Sequence, residues 1–573
     1  MVDMVMTEMA KFAENELSPL NEVADSEGCT YVNEYEVRTP KGFKEAYEKY
    51  TEGGWQGLHY PEEYGGQGLP SSLGTVTGEM AATANWTWLM YPGLSKGAIN
   101  TVLSHGSDEL KAKYLEKMVD GTWTGTMCLT EPQGGSDLNL VSTKAEPIGD
   151  GKYKINGTKI FISCGEHDMT ENIIHCVLAR LPDAPAGTRG ISLFLVPKRK
   201  VADDGAVGEL NGAKIGRIEE KMGCHGSSTC VIDFTDSEGY LIGTANKGLS
   251  HMFTFINTSR IGVSMQGMAA AEASYQNALW YAKERLAMRS LSGTKNPEKP
   301  ADPIIVHPDV RRMLLTQKCI AEGGRAMIYE CALLADLMKE AEARGDKETA
   351  KLIDDDMGLL TPILKGFLTE TGVEAANLGI QVYGGHGYVK ENKQEQILRD
   401  VRIGAIWEGT SGIQALDLLG RKIMQQKMKP LNRRLKQIYK EILPLVIGGS
   451  SAAVRKHARS VMQHAFEWQY LTFKIAAKAA RDKDFVGSAS MDYMFFAGYV
   501  TMAFHFLKME EAATKQRKAG NGDADFYLSK IQTSAFYFDH LLPRTRSHAE
   551  SMFTPLSSIM DMKPEHFSFD HAL

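Results

Sequence analysis

The feature that most constrains this chain is a double change in the spacing of its apolar residues. Up to about residue 125 they recur at helical intervals, as in Leu110, Tyr114, Leu115 and Met118, broken by the turn-rich YPEEYGGQGLPSS. From residue 126 to about 243 they gather into short runs, KYKINGTKIFIS, HCVLAR, GISLFLVP and TCVIDF, bounded by Gly, Pro and Asp. From Leu249 the helical period returns in long segments such as MQGMAAAEASYQNALWYAKERLAMRSL, interrupted by the Pro-containing SGTKNPEKPADPIIVHPDV, which reads as an exposed loop. After MKPLNRRL comes a further helical stretch with AFEWQYLTFKIAAKAARDKDF and MDYMFFAGYVTMAFHFLKMEEAATKQRKAG as its clearest helices. The expected fold is mainly α with a central β domain. Its regions are an N-terminal helical domain (1–125), the β domain (126–245), a helical bundle (246–427) and an additional C-terminal helical domain (428–573).

Composition removes several function classes. The 8 cysteines form no C-x-x-C pair and none follows Cys331, so neither a disulfide framework nor a metal site is expected. The N-terminus carries Asp3, Glu8, Glu14 and Glu16 and is not a signal peptide, and no stretch is apolar long enough to span a bilayer. A cytoplasmic protein is expected. The net charge of −7 is uneven: residues 421–573 hold 23 Lys+Arg against 14 Asp+Glu, or +9, leaving −16 for the first 420. That asymmetry raises a membrane surface, a nucleic acid or the acidic face of another subunit as partner, although scattered charge on solvated helices explains it more simply.

Three segments carry the chemistry. Residues 126–137, TMCLTEPQGGSD, place two glycines and a proline between a strand and a polar turn; Thr130, Ser136 and free backbone N–H groups there suit a ligand with carbonyl and phosphate oxygens, though the same text also suits an ordinary turn. NGTKIFISCGEHDMT predicts two β runs joined by a hairpin turn at Asn156-Gly157. Residues 381–414 read QVYGGHGYVKENKQEQILRDVRIGAIWEGTSGIQ, with a glycine pair, an Arg-Asp pair and a lone Glu408 between Trp407 and Gly409. In isolation Glu408 would be a carboxylate at a helix N-terminus.

In this order and spacing the segments resemble the acyl-CoA dehydrogenase family, over roughly residues 10–425, and KMGCHGSSTCVIDF and GYLIGTANKGLSHMFTFINTSRIG extend the likeness. The C-terminal extension and EGTSGIQALDLLGRKI resemble the larger bacterial members, the 3-methylmercaptopropionyl-CoA dehydrogenase-like group. The resemblance implies a barrel-like middle domain, a four-helix bundle and FAD as cofactor. It sets Thr130 on the isoalloxazine ring, Ser136 near the CoA part of the substrate, and the stretch Phe161, Ile162 and Ser163 along the flavin, where relatives often have Trp and Thr for Phe161 and Ser163. It sets Arg260 near CoA, with Asn257 standing where many relatives have Asp. Arg285 is implied to reach the FAD pyrophosphate of a neighbouring subunit, with Ala287, Met288 and Arg289 departing from the usual hydroxyl and Phe. Gln381, Gly384 and Gly385 are implied to meet the adenosine end across the same interface, so a homodimer or a dimer of dimers is expected. Glu408 takes the place of the catalytic base, Gly409 lies beside the substrate and Thr410 beside the flavin, while Gly412 stands where Gln is common.

The α-proton of a thioester is too weakly acidic for a solvated carboxylate, so such a site must desolvate its base and stabilise the enolate with backbone N–H donors. The reaction implied is oxidation of an acyl-CoA to a trans-2-enoyl-CoA, the α-proton going to Glu408 and the β-hydride to flavin N5, with electron-transfer flavoprotein as acceptor. Two alternatives share the framework: an acyl-CoA oxidase, and a flavin-containing DNA-binding relative without efficient dehydrogenase activity. The basic C-terminal segment shows no nucleic-acid reading motif, and its apolar cluster MDYMFFAGYVTMAFHFL reads as core, so contact with nucleic acid or membrane is not favoured.

Overall fold

A computed structural model describes residues 1–568. The chain forms two compact units: residues 1–266 with 396–403, and residues 267–395 with those from 404 onward. The expected fold class, mainly α with a β domain in the middle of the sequence, is what the chain forms.

In the first unit, helices that include α1 (Ser71–Ala84) and α2 (Trp86–His105) precede a seven-stranded sheet. Its strands are β1 (Trp123–Cys128), β2 (Lys144–Gly149), β3 (Lys152–Ser163), β4 (Asn172–Arg180), β5 (Ile191–Pro197), β6 (Ala213–Ile218) and β7 (Thr229–Leu241). The order β6-β7-β3-β2-β4-β1 is closed by β5, which pairs with both β7 and β4, giving the barrel-like middle. The apolar runs explain why: β4 and β5 are buried on both faces, as uninterrupted apolar strands must be. Ile174, Cys176, Leu178, Leu193 and Leu195 join a core with Trp123, Ala98, Val102 and Phe255. Their neighbours Val177, Ala179, Phe194 and Val196 join a second core with Ile155, Ile162 and Ile232.

One local expectation fails. Asn156-Gly157 is no hairpin turn, because β3 runs straight through it. The register against β7 jumps between Phe234 and Ser237, and the Asn156 amide donates to Asp236 Oδ1 (3.1 Å) while accepting from Asp236 N (2.9 Å). Asn-Gly here marks a bulge: Gly157 has φ +153° and a Cβ on it would fall 2.5 Å from Thr143 Oγ1. The turn into β3 is made instead around Asp150 and Gly151, both with positive φ.

The second unit is helical. Helix α3 (Gly248–Glu284) ends in it, followed by the hairpin of α4 (Pro308–Ala343) and α5 (Lys347–Tyr383). The SGTKNPEKPADPIIVHPDV loop is gathered on buried Asp302, which accepts from the backbone N–H groups of Ser290, Lys295 and Asn296 and pairs with Arg289. Left-handed Lys427 and Met428 stop the helical run before α6 (Lys429–Gly448), α7 (Ala452–Ala479) and α8 (Asp484–Ala519). These later helices belong to the same compact unit. A Cβ on Gly498 of α8 would lie 2.3 Å from the Phe367 ring of α5, so the two helices touch almost backbone to side chain.

Part of the basic charge of the C-terminal stretch is met inside this unit. Arg434 grips Glu330 with two bonds (2.5 and 2.9 Å), and His505 joins the same carboxylate at 3.0 Å. Burial alone would raise the Glu330 carboxyl; Arg434 and His505 instead hold it well below the usual carboxylate range. Arg433 pairs with Asp356, Lys530 with Glu322 and Arg544, through two 2.8 Å bonds, with Glu374. The acidic partner that the charge asymmetry called for is therefore in part the chain's own bundle. Among the described residues no helix is long and apolar enough to cross a membrane, and no cluster of His, Cys, Asp and Glu could hold a metal ion.

Candidate active site

In the first unit the loop after β1 is built around Glu131. This buried carboxylate receives Lys159 Nζ (2.8 Å), Thr143 Oγ1 (2.6 Å), Ser142 Oγ and N (both 2.7 Å) and Thr143 N (3.1 Å). Burial pushes such a carboxyl up, but Lys159 and the hydroxyls outweigh it and bring Glu131 down to about 2. The loop is tied to β3 where Ile160 N donates to Thr130 O (2.9 Å), and Glu131 and Gly134 exchange backbone bonds of 2.9 and 3.0 Å. Thr130 is left half-buried and Ser136 exposed on the rim.

One step further along β3 the register against β7 jumps again, from Lys159 opposite Ile232 to Ile162 opposite Cys230. Phe161 occupies that bulge with φ +58° and is 60% exposed. A phenyl ring held outside both cores in a left-handed backbone is costly for folding alone, which makes it a candidate for ligand contact. Ile162 beside it is buried core and Ser163 is half-buried. Arg260, on α3, is buried. The Arg-Asp pair of the third segment is architectural: Arg399 takes Asp25 by two bonds (2.7 and 2.5 Å), and Asp400 accepts from Cys224 N (2.6 Å), its carboxyl pushed up to about 6 by burial.

In the second unit Glu408 lies in the turn between residues 403–405 and the helix Ser411–Leu416. It is half-buried with φ +56°, followed by Gly409 at φ +93°. Two successive left-handed residues are not a helix N-terminus, so the dipole reading of Glu408 does not hold; Thr410 is the cap, its hydroxyl accepting from Ile413 N at 3.4 Å. Side chains that the motif did not single out fix this turn. Lys365, fully buried on α5, donates to Gly409 O (2.5 Å); Gln414 Nε2 donates to Glu408 O (3.0 Å) and Gly409 O (3.4 Å); Ser411 Oγ donates to Glu370 (2.6 Å). Gln414 closes the quoted motif and was legible there. Lys365 and Glu370 lie some forty residues upstream of the turn in α5, and nothing local marks them.

A second group gathers at another corner of this unit. Gly384, with φ +61°, ends α5, and Tyr383 beside it stacks on Tyr281 of α3 at 4.1 Å while donating to Asn277 O (3.2 Å). His386 Nδ1 meets Tyr281 Oη at 3.2 Å. The stack fixes the end of α3 against that of α5; Arg285, one residue beyond α3, is exposed, as are Gln381, Gly384 and Gly385.

The first unit thus carries a closed sheet with an exposed aromatic on a bulge, and the second a carboxylate in a left-handed turn. Comparison with known proteins supplies the family. Residues 2–122 match the acyl-CoA dehydrogenase N-terminal domain, 126–237 the middle domain, 246–424 the C-terminal domain and 434–563 a domain described as acetyl-CoA dehydrogenase C-terminal like. The chain is 38% identical to 3-methylmercaptopropionyl-CoA dehydrogenase of Ruegeria pomeroyi, over 94% of this chain and 90% of that one. It is 33% identical to a butyryl-CoA dehydrogenase of Syntrophomonas wolfei, over 97% and 92%. An acyl-CoA dehydrogenase structure from Bacillus anthracis shares the fold with a TM-score of 0.76 at 21% identity, covering 96% of this chain and 88% of that one. The chain belongs to the acyl-CoA dehydrogenase family.

Proposed function

We propose that this protein is an FAD-dependent acyl-CoA dehydrogenase that oxidises an acyl-CoA to the 2-enoyl-CoA, with Glu408 taking the α-proton. The observation that carries the reading is the turn at Glu408: a glutamate in a left-handed backbone, its carbonyl and that of Gly409 clamped by Gln414 and Lys365, in a chain of this family. Clamping the two carbonyls fixes the two peptide units that follow the base, so its carboxylate meets the substrate with a narrower search over turn conformations. The N–H of Glu408 is the proposed donor to the thioester oxygen, where negative charge develops as the proton leaves.

The residues of the first unit fit a flavin. Phe161 offers an aromatic face outside the core, and Thr130 and Ser163 offer hydroxyls beside it. Ser136 and Arg260 are assigned to the CoA part, with Gly409 beside the thioester. Arg285 suits the diphosphate, its guanidinium fork matching paired phosphate oxygens, and Gln381, Gly384 and Gly385 the adenosine end, both from a partner subunit of a homodimer. Thr410, whose hydroxyl caps a helix, is also assigned to the flavin side. FAD when bound supplies the two-electron acceptor for the β-hydrogen, and electron-transfer flavoprotein is the proposed next carrier. The domain limits 1–125, 126–245, 246–427 and 428–573 are retained as functional divisions. Relatives named for 3-methylmercaptopropionyl-CoA and butyryl-CoA support a short acyl chain.

Anaerobic mixing of the holoenzyme with acyl-CoAs of graded length tests this. Bleaching of the oxidised flavin band by short-chain thioesters is expected. No bleaching by any thioester would overturn the reading.

A further inference from the structure

Two helices of the C-terminal stretch carry large apolar side chains on their outside. Phe466, Tyr470 and Phe473 of α7 are 55%, 63% and 50% exposed, and Leu443 and Ile447 of α6 are 56% and 79% exposed. The apolar text that follows them, MDYMFFAGYVTMAFHFL, is core as its composition indicates: Tyr493, Phe496, Phe504 and Phe506 of α8 are buried. Single exposed hydrophobes need no explanation, but a contiguous group of them marks a surface that something covers.

The spacing makes the group contiguous. Steps of three and four residues put Phe466, Tyr470 and Phe473 in one stripe along α7, with Arg459 two turns before them. The same steps put Lys436, Lys440, Leu443 and Ile447 in one stripe along α6. The helices are antiparallel neighbours: Gln469 donates to Asn432 Oδ1 (3.4 Å), Tyr439 stacks on Phe466 (4.8 Å) and Arg455 donates to Gly449 O (2.8 Å), residue numbers falling on one helix as they rise on the other. Tyr439 lies three residues after Lys436 and four before Leu443, so its stack joins the two stripes side by side.

Charge narrows what can cover this face. Every exposed charged residue on α6 and α7 is a lysine or an arginine. The two carboxylates of these helices, Glu441 and Glu467, are half-buried, and Glu441 is taken by Lys508 (2.8 Å). Among the described residues Lys436, Lys440 and Arg459 make no ion pair, unlike buried Arg434 of the same hairpin, which holds Glu330.

We propose that the α6–α7 hairpin is a docking face for an anionic lipid bilayer. Leu443, Ile447, Tyr470 and Phe473 enter the headgroup boundary, and Lys436, Lys440 and Arg459 meet lipid phosphates. A second copy of the face would set positive charge against positive charge. A single-stranded nucleic acid could stack on the aromatic rings but has no use for the aliphatic Leu443 and Ile447. Among the described residues no helix can cross a membrane, so the contact is peripheral.

The test sediments the full-length holoenzyme with vesicles of phosphatidylcholine alone or mixed with phosphatidylglycerol. Binding to the mixed vesicles is expected, weaker on phosphatidylcholine and falling as salt is raised. Lys436→Gln, Lys440→Gln and Arg459→Gln together should weaken it by about a hundredfold. Ile447→Gln, Tyr470→Gln and Phe473→Gln together should weaken it by about tenfold or more, and they leave the Tyr439–Phe466 stack in place. Bound flavin and melting temperature, unchanged in both, separate lost docking from lost folding. Lys44→Gln, Lys117→Gln and Lys144→Gln, exposed in the first unit, remove the same charge and should leave binding within about twofold. No binding of the wild type to mixed vesicles overturns the proposal, as does an equal loss in the first-unit variant, which would mean attraction by net charge alone. A smaller oligomer in the apolar variant by sedimentation velocity would make the face a contact between copies, and displacement from vesicles by an oligonucleotide that the lysine variant no longer binds would make it a nucleic-acid face; either result overturns the bilayer.

Discussion

Residues 130–143 of the first unit wrap a carboxylate, whereas residues 405–411 of the second are held by their backbone carbonyls. In the first loop Glu131 is the centre: one ammonium, two hydroxyls and two backbone N–H groups converge on its oxygens, and its charge is spent on the loop. In the second the carboxylate belongs to Glu408, and the clamps act elsewhere, Lys365 and Gln414 on carbonyl oxygens and Ser411 on Glu370. The contrast separates a carboxylate that builds structure from one that is positioned by structure. A buried acid surrounded by donors is a poor base, because every donor stabilises its charged form. Restraints on the backbone of a base do not stabilise its charged form in that way.

Substitutions test that contrast, in order of expected effect. Glu408→Gln keeps the shape of the turn and removes the basicity, so flavin reduction by a good acyl-CoA should slow by about a thousandfold or more while the flavin stays bound, followed by stopped-flow absorbance. Retained turnover would make Glu408 a second structural acid and dissolve the contrast. Lys159→Met strands Glu131 as an uncompensated buried charge, with an expected loss of about 3–5 kcal/mol in stability by denaturant unfolding. The same loop should respond to acid in the wild type. The Glu131 carboxyl is depressed from 4.5 to about 2, so its contribution is fully present above pH 4.5 and is lost as pH falls from there through about 2. Melting temperature followed against pH should drop through that window, and less so in Lys159→Met.

How much of this was legible in the sequence divides along the same line. The change from helical to strand spacing located the sheet, since β4 and β5 announce burial on both faces by their uninterrupted apolar runs. The candidate base was legible because a Glu between Trp407 and Gly409 belongs to a recognisable segment. Asn156-Gly157 misled because the same dipeptide suits a hairpin turn and a bulge; only the partner strand, with Asp236 bonded to Asn156, decides between them. Lys365 and Glu370 were invisible for a different reason. They act from α5 on a turn far along the chain, and a helical lysine in a run of apolar text carries no mark of its acceptor. The positive C-terminal stretch likewise showed its charge without its partners, Glu330, Asp356, Glu322 and Glu374, which lie in the preceding helices.

The smallest expected effect is also the one that discriminates most finely between the two kinds of loop. Lys365 is 0% exposed and donates to Gly409 O, one residue beyond the base. If its work is to hold the turn, Lys365→Met should lower kcat by about tenfold, through a turn that samples more conformations, while leaving KM within a few fold. Stability should change less than in Lys159→Met, since the Gly409 carbonyl left behind is neutral. A fall in melting temperature as large as that of Lys159→Met, with kcat preserved, would place Lys365 among the structural charges and make the two loops alike. A fall in kcat at near-constant melting temperature, with Gln414→Ala giving a smaller fall in the same direction, would locate the restraint on Glu408 in the Gly409 carbonyl that these side chains share.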